Sequence, residues 1–527
     1  INKAARVAAM QQPRGALSEV VPEWKLVVYV LLPRSVGADP FAGAKRLKQA
    51  WPVPEDVRVL PGLKTLPADS QLLSRTQSGG NLSPQLQQEM QQLNGSWVLR
   101  VGIPWDPIEF IGQAGKLGHP FHQLSKSNKP LEELIEQLVY KPSVVRSKRK
   151  SYIERWSRRA KALEPEEAKL KAGMSQHRRK ILDSKRILLF KEMLEDIRYD
   201  DIGVVQEIIE GATLTGDIPV TGVLDAKLKP ARIDVSELME ISEQVKQQIR
   251  HRTVSCGNRE TDALLWSKTL EEVDKGHLEG PFEFESVPED CLISSRFPIM
   301  QGDKLRPIDN YSSSLINDTV TVSEKPVTHS IDEIALLITK LSRVARKKGL
   351  KELFGKTADL KSAYRQLAIA DESLRFSYLA VYDPTEDKPK VFRQLAVPFG
   401  STKAVYFFLR VARALWTILV KGALVPTTNY FDDFVLLALN GDRSSCSYAF
   451  NEVMKLLGWK LSEDKTTEWN TSFEALGVLF EIDQTGSGVL RVKNTERRRK
   501  ELTSSIAGFL DSGMMTQKEA LQLRGRL

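Results

Sequence analysis

The sequence predicts an α+β protein whose N-terminal region is mostly helical. Three observations lead there. Between residues 136 and 200, apolar residues recur at helical spacing among many cations, as in Ile153, Trp156, Leu163, Leu170, Ile181 and Leu182. From Phe284 onward, short β-rich runs alternate with helices, and polar groups sit inside apolar runs. No internal repeat at solenoid spacing runs through either region.

Composition bounds the rest. The chain has 527 residues, 41% hydrophobic and 27% charged, which is globular composition and predicts roughly three domains. Three cysteines, Cys256, Cys291 and Cys446, are too few and odd in number for a disulfide framework. They predict a reducing, intracellular setting, cytoplasmic or nuclear. The most apolar stretch, 405–425, is broken by Arg410, Arg413 and Lys421, short of the ~18 clean apolar residues of a membrane span, so no membrane partner is expected. No signal peptide opens the chain. It begins on Ile1 and ends on Leu527 inside a helical pattern, and a piece of a longer protein is expected.

Charge is concentrated. Residues 141–190 hold 16 Lys or Arg against five Asp or Glu, a surplus larger than the whole chain's +9. Clusters such as Arg146, Lys148, Arg149 and Lys150, then Arg158 and Arg159, then Arg178, Arg179 and Lys180, suit a nucleic-acid-contacting arm or a localisation patch. A solvated helical face is the equal alternative.

Taken in order, residues 1–135 form a region of unassigned role. It has a strand-like run over 24–32, a Gln-rich helix over 85–93, and His119 with His122, a metal pair lacking a second pair nearby. Residues 136–200 are the basic helical segment. Residues 201–258 read as a connector, punctuated by Gly203, Gly211, Gly216, Pro219, Gly222 and Pro230, with a helix over 235–250. A second helix over 260–275 ends at Gly276. Residues 402–419 read as a further helix, and 497–510 as a basic amphipathic one ended by Gly513, with another beginning near Thr516.

The chemistry lies in the carboxylates. Asn429-Tyr430-Phe431-Asp432-Asp433-Phe434-Val435-Leu436-Leu437 places two adjacent acids between apolar β-prone arms, which predicts a hairpin with the acids at its turn. Two ionised Asp among aromatic neighbours repel each other and need a positive charge. Hard oxygen ligands suit Mg²⁺. A strand-like run leads to a third acid, Asp359, which would complete a two-metal site for phosphoryl transfer. A polar hairpin tip is the plain alternative.

The neighbours decide between these. Here the chain resembles reverse transcriptases, specifically those of retrotransposons. Tyr430-Phe431-Asp432-Asp433 resembles the family's Tyr-X-Asp-Asp signature, and Asp359 with Leu360 to Tyr364 resembles its first palm motif. Val397-Pro398-Phe399-Gly400-Ser401 resembles its Pro-Phe-Gly segment, and Lys304-Leu305-Arg306-Pro307-Ile308-Asp309-Asn310-Tyr311 its fingers motif. Leu457-Gly458-Trp459-Lys460-Leu461-Ser462-Glu463-Asp464-Lys465 and Leu476-Gly477-Val478-Leu479-Phe480 resemble the motif after the catalytic hairpin and the primer grip. All six fall in family order and cover about half the chain. In two places the chain departs: the fingers motif is one residue shorter than usual, and Ser362 stands where an acid is common.

The resemblance implies a right-hand polymerase fold. Residues 259–495 would be fingers and palm with an antiparallel sheet and helices, and 496–527 the start of a thumb. It implies RNA-directed DNA polymerase activity on an RNA/DNA template–primer with dNTPs. Asp359, Asp432, Asp433 and the backbone carbonyl of Leu360 would hold two Mg²⁺, with Mn²⁺ an alternative. Lys304 or Arg306 would neutralise the triphosphate. Gly400 would let the backbone approach the nucleotide, with Phe399 beside it, and Lys465 would protonate pyrophosphate or be a surface lysine. Tyr364 would occupy the space of a ribose 2′-hydroxyl and so select deoxynucleotides, the alternative being a core tyrosine. Leu476 and Gly477 would hold the primer, and Arg497, Arg498 and Arg499 would track backbone phosphates. Two other classes stay open: an inactive polymerase-fold nucleic-acid-binding protein, and an RNA-dependent RNA polymerase. Phe431 and Tyr364 argue against the last.

Overall fold

The computed structural model describes residues 129–526 except Gly302, Asp303 and Met514, and before them only four strands. These are β1 (Val28–Pro33), β2 (Lys45–Arg46), β3 (Leu63–Lys64) and β4 (Trp97–Pro104), antiparallel in the order β2-β1-β4-β3. The strand expected over 24–32 falls on β1. The expected helix at 85–93, with His119 and His122, lies outside the described residues.

The contacts divide the chain into two compact units, one of them Leu124–Thr495. That unit begins with helices α1 (Lys129–Tyr140), α2 (Pro142–Ala162), α3 (Glu164–Ala172), α4 (Gln176–Ile181), α5 (Ile187–Asp196) and α6 (Gly203–Glu210). Next come β5 (Asp225–Lys229), α7 (Val235–Glu240), α8 (Ser242–Arg252), α9 (Arg259–Asp274), β6 (Leu278–Phe282), β7 (Ile293–Gln301), β8 (Lys304–Asn310) and β9 (Val322–Lys325). Then follow α10 (Ile331–Lys347), β10 (Leu353–Asp359), β11 (Tyr378–Asp383), β12 (Lys388–Gln394), α11 (Thr402–Thr417), β13 (Thr427–Tyr430) and β14 (Asp433–Leu439). The unit closes with α12 (Arg443–Leu456), β15 (Ser472–Ala475), β16 (Val478–Glu481) and β17 (Arg491–Asn494). Its sheets run β6-β12-β11-β7-β8, β10-β14-β13, β15-β16-β17 and β5-β9, antiparallel except for the β7–β11 pair.

Helix α2 shows how the basic segment folds. Pro142 starts it, where a missing N–H leaves no helical bond unmade. Val145, Arg149, Tyr152, Ile153, Trp156 and Ala160 recur at helical spacing and are buried. Arg149 belongs to this stripe: its guanidinium donates to both Asp442 oxygens at 2.7 and 2.8 Å and to the Leu424 carbonyl at 2.7 Å. Of the expected apolar stripe, Ile153, Trp156, Leu163 and Leu182 are buried, and Leu170 and Ile181 half-buried against the same core.

That core continues through Phe407, Phe408, Leu415, Phe434 and Phe450. This core runs across residue 200, with Tyr199 and Val204 both in it. The basic helices share one core with the acid hairpin. Residues 201–210 are tied to α11: Asp201 accepts two bonds from Arg410, at 2.7 and 2.8 Å, and Glu207 on α6 accepts a third. The helix expected over 235–250 breaks at Ile241 into α7 and α8. Helix α9 starts from Asn258, whose side chain accepts from the Thr261 amide at 2.9 Å. Helix α11 is buried on nearly all sides and continues as a wider turn over Ile418–Gly422.

The other unit includes α13 (Glu496–Ser512) and α14 (Gln517–Arg526). Among the described residues no helix is long and apolar enough to cross a membrane, and all three cysteines are free thiols.

Candidate active site

The acids meet because three strands end together. Antiparallel pairing of β10 with β14 puts Asp359 directly across from Asp433, and pairing of β13 with β14 puts Tyr430 across from Asp433. Phe431 and Asp432 form the two-residue turn between them. Phe431 takes φ +51°, the left-handed conformation such a turn requires at its first central residue, and its ring packs on the core beneath. The Leu360 amide donates to the Asp432 carbonyl at 3.1 Å, tying the tip to the end of β10.

Charge in this cluster is unbalanced. Asp359 is buried, at 5% exposure. Lys465 donates to both its oxygens at 3.0 Å, while its own side chain is 60% exposed. Asp433 is pushed up to about 7, first by burial, then by the charge of Asp432 and by the hydrogen bond and charge of Asp359. Burial and Asp359 also raise Asp432, against the pull of its own backbone, Lys465 and Arg306. Burial works against the Lys465 ammonium, yet its bond to Asp359 and the three acid charges raise it.

The remaining expected residues divide into groups. Lys304 and Arg306 are both exposed on β8; of the two, Arg306 is the one whose charge acts on Asp432. Tyr364 is buried, its ring stacked on Phe408 at 4.3 Å and tilted against Phe399 at 4.6 Å. Burial and then the charge of Asp432 raise its hydroxyl. Phe399 is 46% exposed. Gly400 has φ +92°, and a Cβ there would lie 2.0 Å from the Asp309 carbonyl oxygen, so the fold itself demands glycine at this point. Asn317 fixes this turn, donating to the Gly400 carbonyl at 2.9 Å and accepting from the Thr402 amide at 2.8 Å.

Leu476 and Gly477 form the two-residue turn between β15 and β16, both at positive φ. Leu476 lines a cleft of about 120 Å³ with Asp359, Asp433, Tyr430, Lys465 and His329. Arg497, Arg498 and Arg499 lie on α13 in the other unit. There Arg498 donates to the Arg526 carbonyl at 2.6 Å, and Arg499 pairs with Glu496 at 2.8 Å, so much of the expected basic edge is engaged within its own helices.

Two features of this region had no role assigned from sequence. His329 accepts from the Asn429 amide at 3.0 Å behind the hairpin and lies 4.8 Å from Trp416; a lone histidine after Val327-Thr328 carries no signal of this. Gln366 bonds Lys361 and Lys460, and its place two residues after Tyr364 was the available clue.

Donor chemistry and convergence give different answers for a metal. Three carboxylates, two of them raised first by burial and then by one another's charge, are a hard-oxygen set that suits Mg²⁺. Yet among the described residues no three His, Cys, Asp or Glu side chains are grouped so as to hold one ion, and Lys465 covers Asp359.

No protein-family model and no curated relative matches the sequence. Among solved structures it is similar to the foamy viral protease-reverse transcriptase in complex with dsDNA, at 14% identity and TM-score 0.35, over 65% of this chain and 61% of that one. It is also similar to the same foamy viral protein with RNA/DNA hybrid, at 12% identity and TM-score 0.37, over 68% and 39%. A third likeness is to its dRH form with dsDNA, at 13% identity and TM-score 0.35, over 64% and 51%. The chain thus spans less than two thirds of each of these proteins, and their overall likeness to it is loose.

Proposed function

We propose that this chain carries out template-directed DNA synthesis on an RNA or DNA template, as part of a retrotransposon polyprotein acting inside the cell. One observation carries the reading: β10, β13 and β14 bring Asp359, Asp432 and Asp433 to one sheet end, where among the described residues Lys465 is the cation that ion-pairs with them. A cluster built only for stability would pair its charges.

Asp359, Asp432 and Asp433 would hold two Mg²⁺, with the Leu360 carbonyl as a further oxygen. Bound there, divalent ions would lower the pKa of a primer 3′-hydroxyl and offset charge on leaving pyrophosphate. Lys465, displaced from Asp359, would give its Nζ proton to the pyrophosphate. Of Lys304 and Arg306, Arg306, whose charge acts on Asp432, would grip the triphosphate. Tyr364 would close the space a 2′-hydroxyl needs. Leu476 and Gly477 would hold the primer, Arg497, Arg498 and Arg499 the duplex backbone.

The ion pair between Lys465 and Asp359 favours a second reading, an inactive polymerase-like fold that binds nucleic acid. Primer extension separates the two: a DNA primer on RNA, with dNTPs or rNTPs, comparing wild type with Asp432→Asn. Synthesis from dNTPs that disappears in the variant supports the polymerase. Synthesis unaffected by the change overturns the acid-site assignment, and template binding without synthesis by either protein supports the binding module.

A further inference from the structure

Lys185 belongs to the basic segment but not to its surface. It is 4% exposed and lies between α4 and α5, with its ammonium facing the segment after the acid hairpin. Nζ donates to Gln366 Oε1 at 2.7 Å and to the Gly458 carbonyl at 2.6 Å, and the Trp459 ring centre lies 4.0 Å away. Gly458 has φ +74° and would place a Cβ 1.7 Å from the Ser184 carbonyl oxygen, so the two backbones touch where Lys185 reaches across.

Gln366 then distributes this anchorage. Its Nε2 donates to the carbonyls of Lys361 and Lys460 at 2.8 and 3.0 Å, and its Oε1 also accepts from the Lys460 amide at 3.0 Å. The Lys361 amide bonds the Lys460 carbonyl at 2.9 Å, and the Ser462 amide bonds the Asp359 carbonyl at 2.8 Å. From there one turn leads to Lys465 on the Asp359 carboxylate. Lys185 Nζ makes two hydrogen bonds and lies over the Trp459 ring, and among the described residues none of these partners is a carboxylate. A cation buried without a counter-charge costs stability, and burial followed by the charges of Lys460 and Lys171 drives it well below the usual lysine range.

We infer that Lys185 is a positioning residue: through Gln366 and Gly458 it fixes the backbone of the 457–465 segment, and so the point beside the acids from which the Lys465 side chain reaches either Asp359 or a leaving group. Its catalytic consequence rests on the polymerase reading above; its mechanical one does not. The basic segment would then act on the reaction from inside the core.

Two measurements on the full chain test this, with Lys185→Met and, should that variant not fold, Gln366→Met. Methionine fills a similar volume without the charge, so the melting temperature should hold or rise. Hydrogen exchange at the Lys460 and Ser462 amides should speed up about tenfold, with the amides of the β15–β16 pair unchanged. If wild type polymerises, Lys185→Met should lower kcat about tenfold, with KM for dNTP altered less than about twofold. The double variant with Lys465→Ala should be no slower than Lys465→Ala alone. Unchanged exchange at Lys460 and Ser462, or kcat losses that multiply in the double variant, overturns the inference. A wild type that makes no product defeats the polymerase reading instead, and the exchange result still decides Lys185.

Discussion

Two carboxylate clusters in this molecule end in opposite states. In one, Glu272 and Asp309 face Arg296 and Arg365. Arg296 bonds Asp309 at 2.6 Å and Glu272 at 3.0 Å, Arg365 bonds them at 3.3 and 3.1 Å, and Gln394 donates to Asp309 at 2.6 Å. Two acids meet two guanidinium groups. Burial pushes Glu272 up, but Arg365 and Arg296 outweigh it and hold it down to about 2. In the other, Asp359, Asp432 and Asp433 face one exposed lysine, and Asp433 is pushed up to about 7. The first cluster matches its charges, though Arg365 Nε is left without a partner. The unbalanced one has room for positive charge from outside, which is what an acid site for phosphoryl transfer requires.

Substitution should separate the two cleanly. Asp432→Asn removes one of three repelling charges, so primer extension should fall by orders of magnitude while the melting temperature holds or rises. Asp309→Asn unbalances a satisfied pair and leaves Arg296 short of its partner. It should cost about 3–5 kcal/mol of stability, read by denaturant unfolding. Were Asp432→Asn to unfold the chain, or Asp309→Asn to leave stability unchanged, the contrast between a working and a structural cluster would be lost.

The sequence makes the unbalanced cluster readable and hides the balanced one. Adjacent acids between apolar arms announce a hairpin, and Asp359 at the end of a strand-like run announces a partner. What it cannot supply is the register that sets Asp359 against Asp433, because that depends on strands far apart in the chain. Nor does it separate Lys304 from Arg306, which share one strand face. Glu272, Arg296 and Arg365 look like ordinary surface residues until β7, β8 and α9 pack. The basic segment misleads for the same reason. Periodicity shows that α2 buries a stripe, but among so many cations nothing marks Arg149 and Lys185 as the buried ones.

The two clusters should also impose opposite pH slopes on stability. Glu272 is lowered from 4.5 to about 2. Its contribution, about 3 kcal/mol at most, is fully present above pH 4.5 and is lost as pH falls toward 2. Asp433 is raised from 3.8 to about 7, so the native state keeps a proton that the unfolded chain releases. Its contribution is present below pH 3.8 and is lost as pH rises through 7. Unfolding free energies measured from pH 3 to 8 in metal-free buffer should therefore fall at both ends. Asp433→Asn should flatten the upper slope and leave the lower one. A variant that flattened neither would mean that the acid hairpin is not under the strain its geometry implies.

Tyr364 offers the smallest effect and the sharpest division of roles. Its ring packs on both Phe399 and Phe408, so it has a packing role whatever else it does. Tyr364→Val should cost about 2 kcal/mol through the cavity left behind. Tyr364→Phe keeps the stack and should cost less, because it removes only the hydroxyl. Packing alone predicts that neither change alters which sugar is accepted. A wall against the 2′-hydroxyl predicts that Tyr364→Val raises ribonucleotide incorporation relative to deoxynucleotide by about tenfold or more, with Tyr364→Phe unchanged. Competition between dNTP and rNTP on one primer reads this directly, and an unmoved ratio in Tyr364→Val would leave the tyrosine as part of the core and nothing more.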